Sequence, residues 1–337
     1  MIIARTPFRI SFAGGGTDFP EWFSENRSVV ISGTINKYSY LTCRNLENFF
    51  EHNYRIVYSI IENKFNIDEI EHPAVKAILN FMKYSQGLEI HHDGDLPART
   101  GLGSSSAFTV GLIHIVNKLK SIETSKKELS DLAIHVERKI LKEKVGMQDQ
   151  VACAFGGLNR VDFYTENGES KYQVIPLKIS RDKLDKLSDQ IVLVYTGVQR
   201  FSSEVSEKLI DGLKAASKKT RELNKRNVEL ALMTEDILIN GEDLNFIADI
   251  FEESWSNKAQ LNPDSINDSL IAIKKLGLEN GSTGAKILGA GGGGFMAFWV
   301  PLQNQAKFDE AFKKFVVTRF KFEKEGSKII YDGYNEK

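Results

Sequence analysis

The segment "ARTGLGSSSA", residues 98–107, holds two glycines and three successive serines directly before an apolar run typical of a buried helix. Glycine reaches backbone angles that other residues resist and lets backbone approach a ligand. The first turn of a helix presents unpaired N–H groups and a partial positive charge. The segment therefore predicts a phosphate cradle, although a serine that only caps the helix remains the alternative. The candidate residues are Gly101, Leu102, Gly103, Ser104, Ser105 and Ser106.

Two further glycine segments lie far from this central glycine segment in the sequence. The N-terminal glycine segment, "AGGGTD" (13–18), places Thr17 and Asp18 directly after three glycines, which indicates either a tight turn or backbone cleared for a ligand. The C-terminal glycine segment, "GAGGGG" (289–294), matches GxGxxG but leads into the strand-like "FMAFWV". A dinucleotide fingerprint opens a helix instead, so a glycine loop packed against another loop is the favoured interpretation.

Two carboxylates stand out because their neighbours are apolar. Glu137 borders the apolar stripe of a helix that begins at a capping box formed by Ser125 and Glu128. A carboxylate at that position is costly unless it is paired or bound to metal; a glutamate that reaches water is the alternative. Asp149 lies in "GMQDQ" before the apolar "VACAF", where it is either functional or a turn residue.

Composition excludes several classes of function. The chain has 337 residues and a net charge of −1, so no broad field favours nucleic acid or anionic membrane. Cys43 and Cys153 are far apart in apolar surroundings, which is typical of a reduced chain. No signal peptide and no run of the roughly 18 apolar residues of a membrane span is visible. We expect a cytoplasmic protein that acts on a small molecule; its oligomeric state is not predicted.

The order of elements favours an α+β fold. Strands are predicted over 2–13, 29–44 and 190–197, and helices over 104–119 and 243–261, without strict βαβ alternation. Composition marks no linker. We place a domain boundary near residue 185, which gives an N-terminal domain of residues 1–185 and a C-terminal domain of residues 186–337.

Four phrases then carry a family resemblance in a fixed order. They are "RTPFRISFAGGGTD" (5–18), "LPARTGLGSSSA" (96–107), "VERKILKEKVGMQDQ" (136–150) and "GAKILGAGGGGF" (284–295). The chain resembles the GHMP kinases, the superfamily of galactokinase, homoserine kinase, mevalonate kinase and phosphomevalonate kinase, over nearly its whole length. Within that superfamily the first two phrases are most similar to those of the D-glycero-D-manno-heptose 7-phosphate kinases.

The resemblance implies a two-domain α+β fold with the active site in the cleft between the halves. By similarity, the central glycine segment would wrap the phosphates of ATP, and Ser105 and Glu137 would hold Mg²⁺. Asp149 matches the catalytic aspartate, which would orient or deprotonate the attacking sugar hydroxyl. Arg9 matches the arginine near that aspartate, where it would stabilise developing charge.

The N-terminal glycine segment distinguishes among the sugar kinases of the superfamily. In galactokinases the corresponding residues read Gly-Glu-His-Thr-Asp, and Asp18 would accept sugar hydroxyls as its counterpart does. The Glu and His beside the sugar C6 are replaced here by Gly15 and Gly16. The cleared volume predicts a sugar extended at C6. The resemblance implies that this sugar is a heptose 7-phosphate, phosphorylated at its anomeric hydroxyl to the 1,7-bisphosphate. Thr17 completes the candidate substrate residues.

The sequence does not decide which cations bind the extra phosphate. It also leaves two rival functions. Lys37, Arg99 and Arg200 are the candidate cations, and the sequence does not choose among them. One rival is a kinase of a free sugar such as L-fucose. The other is a GHMP-fold protein that binds a sugar or nucleotide without catalysis, although the joint presence of Arg9, Ser105, Glu137 and Asp149 argues against it.

Overall fold

The described part of the chain folds into two β-sheets with α-helices packed against them. The computed structural model describes residues 1–47, 49–197, 210–213 and 217–334. The larger sheet contains β1 (Ile2–Ala13), β2 (Ser28–Asn45), β3 (Tyr54–Val57), β4 (Ile61–Lys64), β5 (Leu88–Gly94), β6 (Leu158–Glu166), β7 (Glu169–Pro176) and β12 (Lys328–Asp332). The smaller sheet contains β8 (Ile191–Tyr195), β9 (Gly284–Ile287), β10 (Phe295–Trp299) and β11 (Val316–Thr318).

The helices surround and separate these sheets. They are α1 (Pro20–Phe23), α2 (Pro73–Phe81), α3 (Ser104–Leu119), α4 (Lys126–His135), α5 (Gln148–Phe155), α6 (Arg181–Gln190), α7 (Lys218–Ile239), α8 (Phe246–Leu261), α9 (Asp268–Glu279) and α10 (Gln305–Ala311). A π-helical turn, Val136–Ile140, continues α4. Among the described residues, none of the helices has both the length and the apolar character that a bilayer crossing needs. The α+β fold class predicted from the sequence is confirmed.

The larger sheet is organised around β2. Its strand order is β12-β1-β2-β5-β3-β4, with β6 pairing with both β2 and β7. The first half of β2 pairs with β6 and the second half pairs with β5, while β1 runs antiparallel along its other edge. This length suits a sequence rich in β-branched and aromatic residues, which pack well on a pleated surface. The sheet thereby fixes β1, which carries Arg9.

The end of the chain returns to its beginning. β12 pairs antiparallel with β1, and Ile2 lies opposite Asp332. The larger sheet therefore takes seven strands from residues 2–176 and one from the far end of the chain. The predicted division into residues 1–185 and 186–337 stays a prediction.

Helix α8 joins the two sheets across a shared apolar core. It packs against β9, β10 and β1, and the ring of its Phe251 lies 6.2 Å from the ring of Phe12 on β1. Both side chains are buried. The helix thereby connects the core of the larger sheet with that of the smaller sheet.

Candidate active site

The central glycine segment forms the sharp entry to α3. Gly101 and Gly103 have φ angles of +79° and +78°, in the left-handed region that favours glycine. Leu102 between them is buried, and its carbonyl accepts the Arg9 N–H at 3.0 Å. The segment is thus anchored to β1, and the first turn of α3 follows directly after this anchor.

The three serines of this turn have different surroundings. Ser104 Oγ accepts the Arg99 backbone N–H at 3.1 Å, whereas Ser105 is exposed. Ser106 is buried and donates from Oγ to Glu137 Oε2 at 3.0 Å. Ser105 is therefore the serine open to a ligand, while Ser106 connects α3 to the carboxylate of Glu137.

The C-terminal glycine segment packs against the central one, as the sequence predicts. A Cβ added to Gly289 would lie 2.4 Å from Gly101 Cα, and one added to Gly294 would lie 2.3 Å from Thr100 O. The Phe295 N–H donates to the same Thr100 carbonyl at 3.0 Å. Two segments far apart in the chain thus touch through backbone alone, and this requirement for small residues explains the glycines.

Substituting Gly289 tests this contact. We expect Gly289→Ala to lower the thermal unfolding midpoint more than Gly168→Ala. Both glycines have positive φ, +65° and +78°, but an added Cβ meets nothing within 4 Å at Gly168. The control therefore carries only the backbone cost of about 1–2 kcal/mol, while Gly289→Ala adds overpacking of about 1–3 kcal/mol. Equal midpoints for the two variants would mean that the loops are not tightly packed.

Arg9 and Asp149 form a bidentate ion pair beside the central glycine segment. Arg9 Nε and Nη2 each donate to an Asp149 carboxylate oxygen at 2.7 Å, and Nη1 donates to Gly101 O at 2.6 Å. The Arg9 side chain is 3% exposed, but that of Asp149 is 27% exposed. A Cβ on Gly103 would lie 3.7 Å from the Asp149 carboxylate. The carboxylate is thus held rigidly and faces an open space next to the candidate phosphate cradle.

The Glu137 carboxylate is buried and incompletely satisfied. It lies on the π-helical turn, where Oε2 accepts Gln150 Nε2 at 2.5 Å in addition to the Ser106 hydroxyl, while Oε1 is buried without a hydrogen bond. Burial, and next the charge of Glu143, raise the pKa of Glu137 to about 8. The water-reaching glutamate that the sequence left open is not what the structure shows.

The oxygens around Glu137 fit a magnesium ion. Gln150 Oε1 and Thr109 Oγ1 are also buried without a partner, so the donors are all oxygen, which Mg²⁺ prefers. Within the described residues no group of three His, Cys, Asp or Glu side chains converges as a metal site. That finding is compatible with Mg²⁺, which keeps several waters and takes one or two protein carboxylates.

Asp18 is fully buried and hydrogen-bonded within the protein. It is 0% exposed, and its oxygens accept the N–H of Gly16 and Gln148 at 3.1 Å and Gln148 Nε2 at 3.2 Å. Burial raises the pKa of this carboxyl, and the nearby charge of Asp149 adds to that effect. Thr17 is equally buried and its hydroxyl donates to Gly14 O at 2.8 Å. Both residues shape the N-terminal glycine segment, and their predicted contact with substrate remains a prediction.

Gly15 and Gly16 reach the surface of this segment for different reasons. Gly16 has a φ of +92°, which a side chain would strain. Gly15 is exposed, has no such angle, and a Cβ there would lie 3.7 Å from Gln148 Nε2 and 3.8 Å from Ser11 Oγ. The backbone therefore explains Gly16 but leaves Gly15 unexplained.

Three residues of this region were not singled out from the sequence. Gln148 donates a hydrogen bond to Asp18. The other two are Lys258 of α8 and Lys286 of β9, whose ammonium groups donate to backbone carbonyls of the C-terminal glycine segment and of β1. Of the predicted phosphate-binding cations, Arg200 lies outside the described residues. Arg99 takes a φ of +61° beside the cradle, and Lys37 lies partly exposed on β2.

Comparison with known proteins places this geometry in context. Residues 72–157 match the family model for the GHMP kinases N terminal domain. The chain is 30% identical to a D-glycero-alpha-D-manno-heptose 7-phosphate kinase from Campylobacter jejuni, over 97% of this chain and 98% of that protein. It is 25% identical to a bifunctional fucokinase/GDP-fucose pyrophosphorylase from Arabidopsis thaliana, over 86% of this chain and 29% of that protein.

A crystal structure shows the same fold. That of a D-glycero-D-manno-heptose 1-phosphate kinase from Bacteriodes thetaiotaomicron superposes with a TM-score of 0.75 at 23% identity, over 98% of this chain and 100% of that one. At this identity the likeness concerns the fold.

Proposed function

The chain belongs to the GHMP kinase superfamily, and from this premise we propose that it transfers the γ-phosphate of ATP to the anomeric hydroxyl of D-glycero-D-manno-heptose 7-phosphate. The product would be the heptose 1,7-bisphosphate. The observation that carries a phosphoryl transfer is the Arg9–Asp149 pair, with its exposed carboxylate beside the glycine-lined entry to α3. Its role in the reaction is our inference.

Asp149 would act as the base toward the sugar. A carboxylate within hydrogen-bond reach of the anomeric hydroxyl orients it and accepts its proton as the oxygen attacks phosphorus. Arg9 keeps both carboxylate oxygens in place through its two parallel hydrogen bonds. These contacts and the bond to Gly101 O use three of its five N–H groups. Its positive charge lies where negative charge develops on the transferring group.

The central glycine segment would hold the ATP phosphates. Gly101 and Gly103 bring backbone close to the phosphates, and the N–H groups of Ser104 to Ser106 at the start of α3 would bind their oxygens. Glu137 and Ser105 would hold Mg²⁺, which when bound neutralises charge on the phosphates. Leu102 contributes by anchoring the segment in the core.

The substrate assignment is supported by the relative and by Gly15. The Campylobacter jejuni relative is named a kinase of a heptose 7-phosphate, and the open volume above Gly15 could accept a sugar extended at C6. The alternative acceptor is a free sugar such as L-fucose, which the similarity to the bifunctional fucokinase/GDP-fucose pyrophosphorylase of Arabidopsis thaliana favours.

A coupled assay of ADP release tests the proposal. The purified protein is given Mg²⁺ and ATP with D-glycero-D-manno-heptose 7-phosphate, L-fucose, galactose or mannose. We expect the highest kcat/KM for the heptose 7-phosphate. A higher value for fucose would replace the substrate, and the absence of ADP release with all four would favour a binding protein without catalysis.

Magnesium dependence tests Glu137 and Ser105. We expect Glu137→Gln and Ser105→Ala each to raise the Mg²⁺ concentration that gives half-maximal rate, because each removes an oxygen ligand from a weakly held ion. Ser106→Ala is the matched control, since it removes the buried hydrogen bond to Glu137 and should mainly lower the melting temperature. An unchanged Mg²⁺ titration with a lowered melting temperature in Glu137→Gln would make Glu137 structural.

A further inference from the structure

Lys258 lies in the last turn of α8, and its ammonium group reaches the C-terminal glycine segment. Phe251 and Trp255 lie seven and three residues earlier on the same buried side of the helix. Lys258 itself is partly exposed, and its Nζ donates to Gly289 O. That carbonyl is its one polar partner within the described residues, so two of its three N–H groups are available.

This position is next to the central glycine segment. The backbone of Gly289 touches that of Gly101, and the Gly101 carbonyl in turn accepts Arg9 Nη1 at 2.6 Å. Lys258 and Arg9 are therefore attached to the carbonyls of two glycines that lie against each other. The two cations therefore lie beside the same pair of glycines, and their positive charges repel each other.

The charges of this region do not balance. Arg9 is paired with Asp149, the buried carboxyl of Asp18 acts on Lys258, and Lys286 adds a further positive charge beside Lys258. Burial lowers the pKa of Lys258 to about 8; the positive charge of Arg9 lowers it further, and Asp18 partly opposes this. An ammonium group that is desolvated without a full counter-charge is stabilised by an added anion.

Lys286 shows what a structural lysine looks like in this region. It is 7% exposed, and its Nζ donates to Ser11 O at 3.0 Å and to Phe12 O at 2.6 Å. Its ammonium thus ties β9 to the end of β1 and is shielded from the cleft. Lys258 is partly exposed and lacks the second acceptor, and this difference points to a ligand.

We propose that Lys258 binds a phosphoryl group in the cleft, donating the two N–H groups that Gly289 O leaves available. A phosphate dianion fits because its oxygens accept charge-assisted hydrogen bonds from an ammonium. Such a group comes either from the γ-phosphate of ATP or from a phosphate already on the sugar. The second source rests on the proposed function; the first requires only that the chain binds ATP.

Calorimetric titration of Lys258→Gln separates the two sources. Glutamine keeps a donor for Gly289 O but removes the charge, and Lys258→Arg is the rescue variant. Lys275→Met is the charge control, since Lys275 is exposed on α9 and pairs with Glu279 at 3.7 Å. The probes are ADP, the non-hydrolysable analogue AMP-PNP, and D-glycero-D-manno-heptose 7-phosphate. We expect AMP-PNP or the heptose phosphate to bind about 10- to 100-fold more weakly to Lys258→Gln, as for a lost charged hydrogen bond, with ADP unchanged.

The pattern across the probes decides the outcome. Weaker AMP-PNP with unchanged ADP assigns Lys258 to the γ-phosphate, and weaker heptose phosphate assigns it to the phosphate of the sugar. The proposal is overturned if the dissociation constants of AMP-PNP and of the heptose phosphate both stay within about threefold of wild type. It is also overturned if ADP loses as much affinity as the other two ligands. If the wild-type protein fails to bind the heptose phosphate, the proposed substrate is wrong, while the comparison of AMP-PNP with ADP still tests Lys258.

Melting temperatures guard against a trivial loss of structure. The affinities of Lys258→Gln can be compared with those of the wild-type protein only if the two melting temperatures are close. Should they differ, Lys258→Met carries the test, because it removes the charge and the donors but keeps an unbranched apolar side chain. Wild-type affinities in a folded Lys258→Met protein overturn the proposal, and unfolding of both Lys258→Gln and Lys258→Met beside a folded Lys258→Arg protein would make Lys258 structural.

Discussion

Asp149→Asn is expected to leave a folded protein that binds ATP but turns over at least about 100-fold more slowly, the lower end for loss of a general base. The amide cannot accept a proton from the sugar hydroxyl. It also places an N–H₂ group against Arg9, whose Nε and Nη2 now each donate to a carboxylate oxygen at 2.7 Å. Steady-state kinetics gives kcat, and calorimetry with ADP reports nucleotide binding separately.

A second arginine–aspartate pair supplies the matched control. Arg160 Nε and Nη2 donate to Asp162 at 2.6 Å and 2.7 Å on β6, with the same bidentate geometry. Asp162→Asn therefore breaks a comparable ion pair away from the cleft, and we expect wild-type kcat from it. Near wild-type turnover in Asp149→Asn would remove Asp149 from the chemistry. An equal loss in both variants would attribute the effect to stability.

Gly15→Glu is expected to impair use of the heptose 7-phosphate severely, with ATP affinity unchanged. The side chain would fill the open volume near Gln148 and Ser11. Its carboxylate would also face the phosphate of the sugar, and like charges in a partly desolvated cleft repel strongly. The expected signature is a large rise in KM for the phosphorylated sugar, measured by ADP release, while calorimetry with AMP-PNP matches wild type.

Two alanine variants separate volume from backbone. Gly15→Ala should be mild, because Gly15 has an ordinary φ and its added Cβ would have van der Waals neighbours only at 3.7 Å and beyond. Gly16→Ala should be harmful toward every substrate, because φ at that residue is +92°. If Gly15→Ala and Gly15→Glu are equally harmful, the cleared volume no longer argues for an extended sugar. The assignment of the protein as a sugar kinase does not depend on the cleared volume and would not be affected.

Local patterns in the sequence predicted individual elements well. The strand over 2–13 and the helix over 104–119 have the bounds expected from their apolar residues and glycines, and Ser125 and Glu128 form the expected capping box. The π-helical turn Val136–Ile140 was not predicted, and the side chain of Ile140 at its end is exposed. One extra residue in the turn rotates the following side chains out of a 3.6-residue pattern.

Local sequence patterns did not predict which distant segments pair with each other. Nothing in "SKIIYDG" indicates that β12 lies beside β1, since any edge strand of suitable pattern could pair there. In the site, the Arg9–Asp149 pair followed from family resemblance and not from spacing. Lys258 had a local signal, a cation three residues after Trp255 on an apolar stripe, but its partner Gly289 is visible only in three dimensions.

The return of the last strand has a consequence for synthesis of the protein on the ribosome. Until residues 328–332 emerge, β1 carries one unpaired edge, and exposed edges invite pairing with other chains. The segment just before β12 also packs on the end of α5, since a Cβ on Gly326 would lie 2.1 Å from Ala154 O. Helix α5, which carries Asp149 in its first turn, thus lacks this packing contact while translation continues. A ribosome-bound chain therefore holds every candidate active-site residue before it holds the scaffold that fixes them.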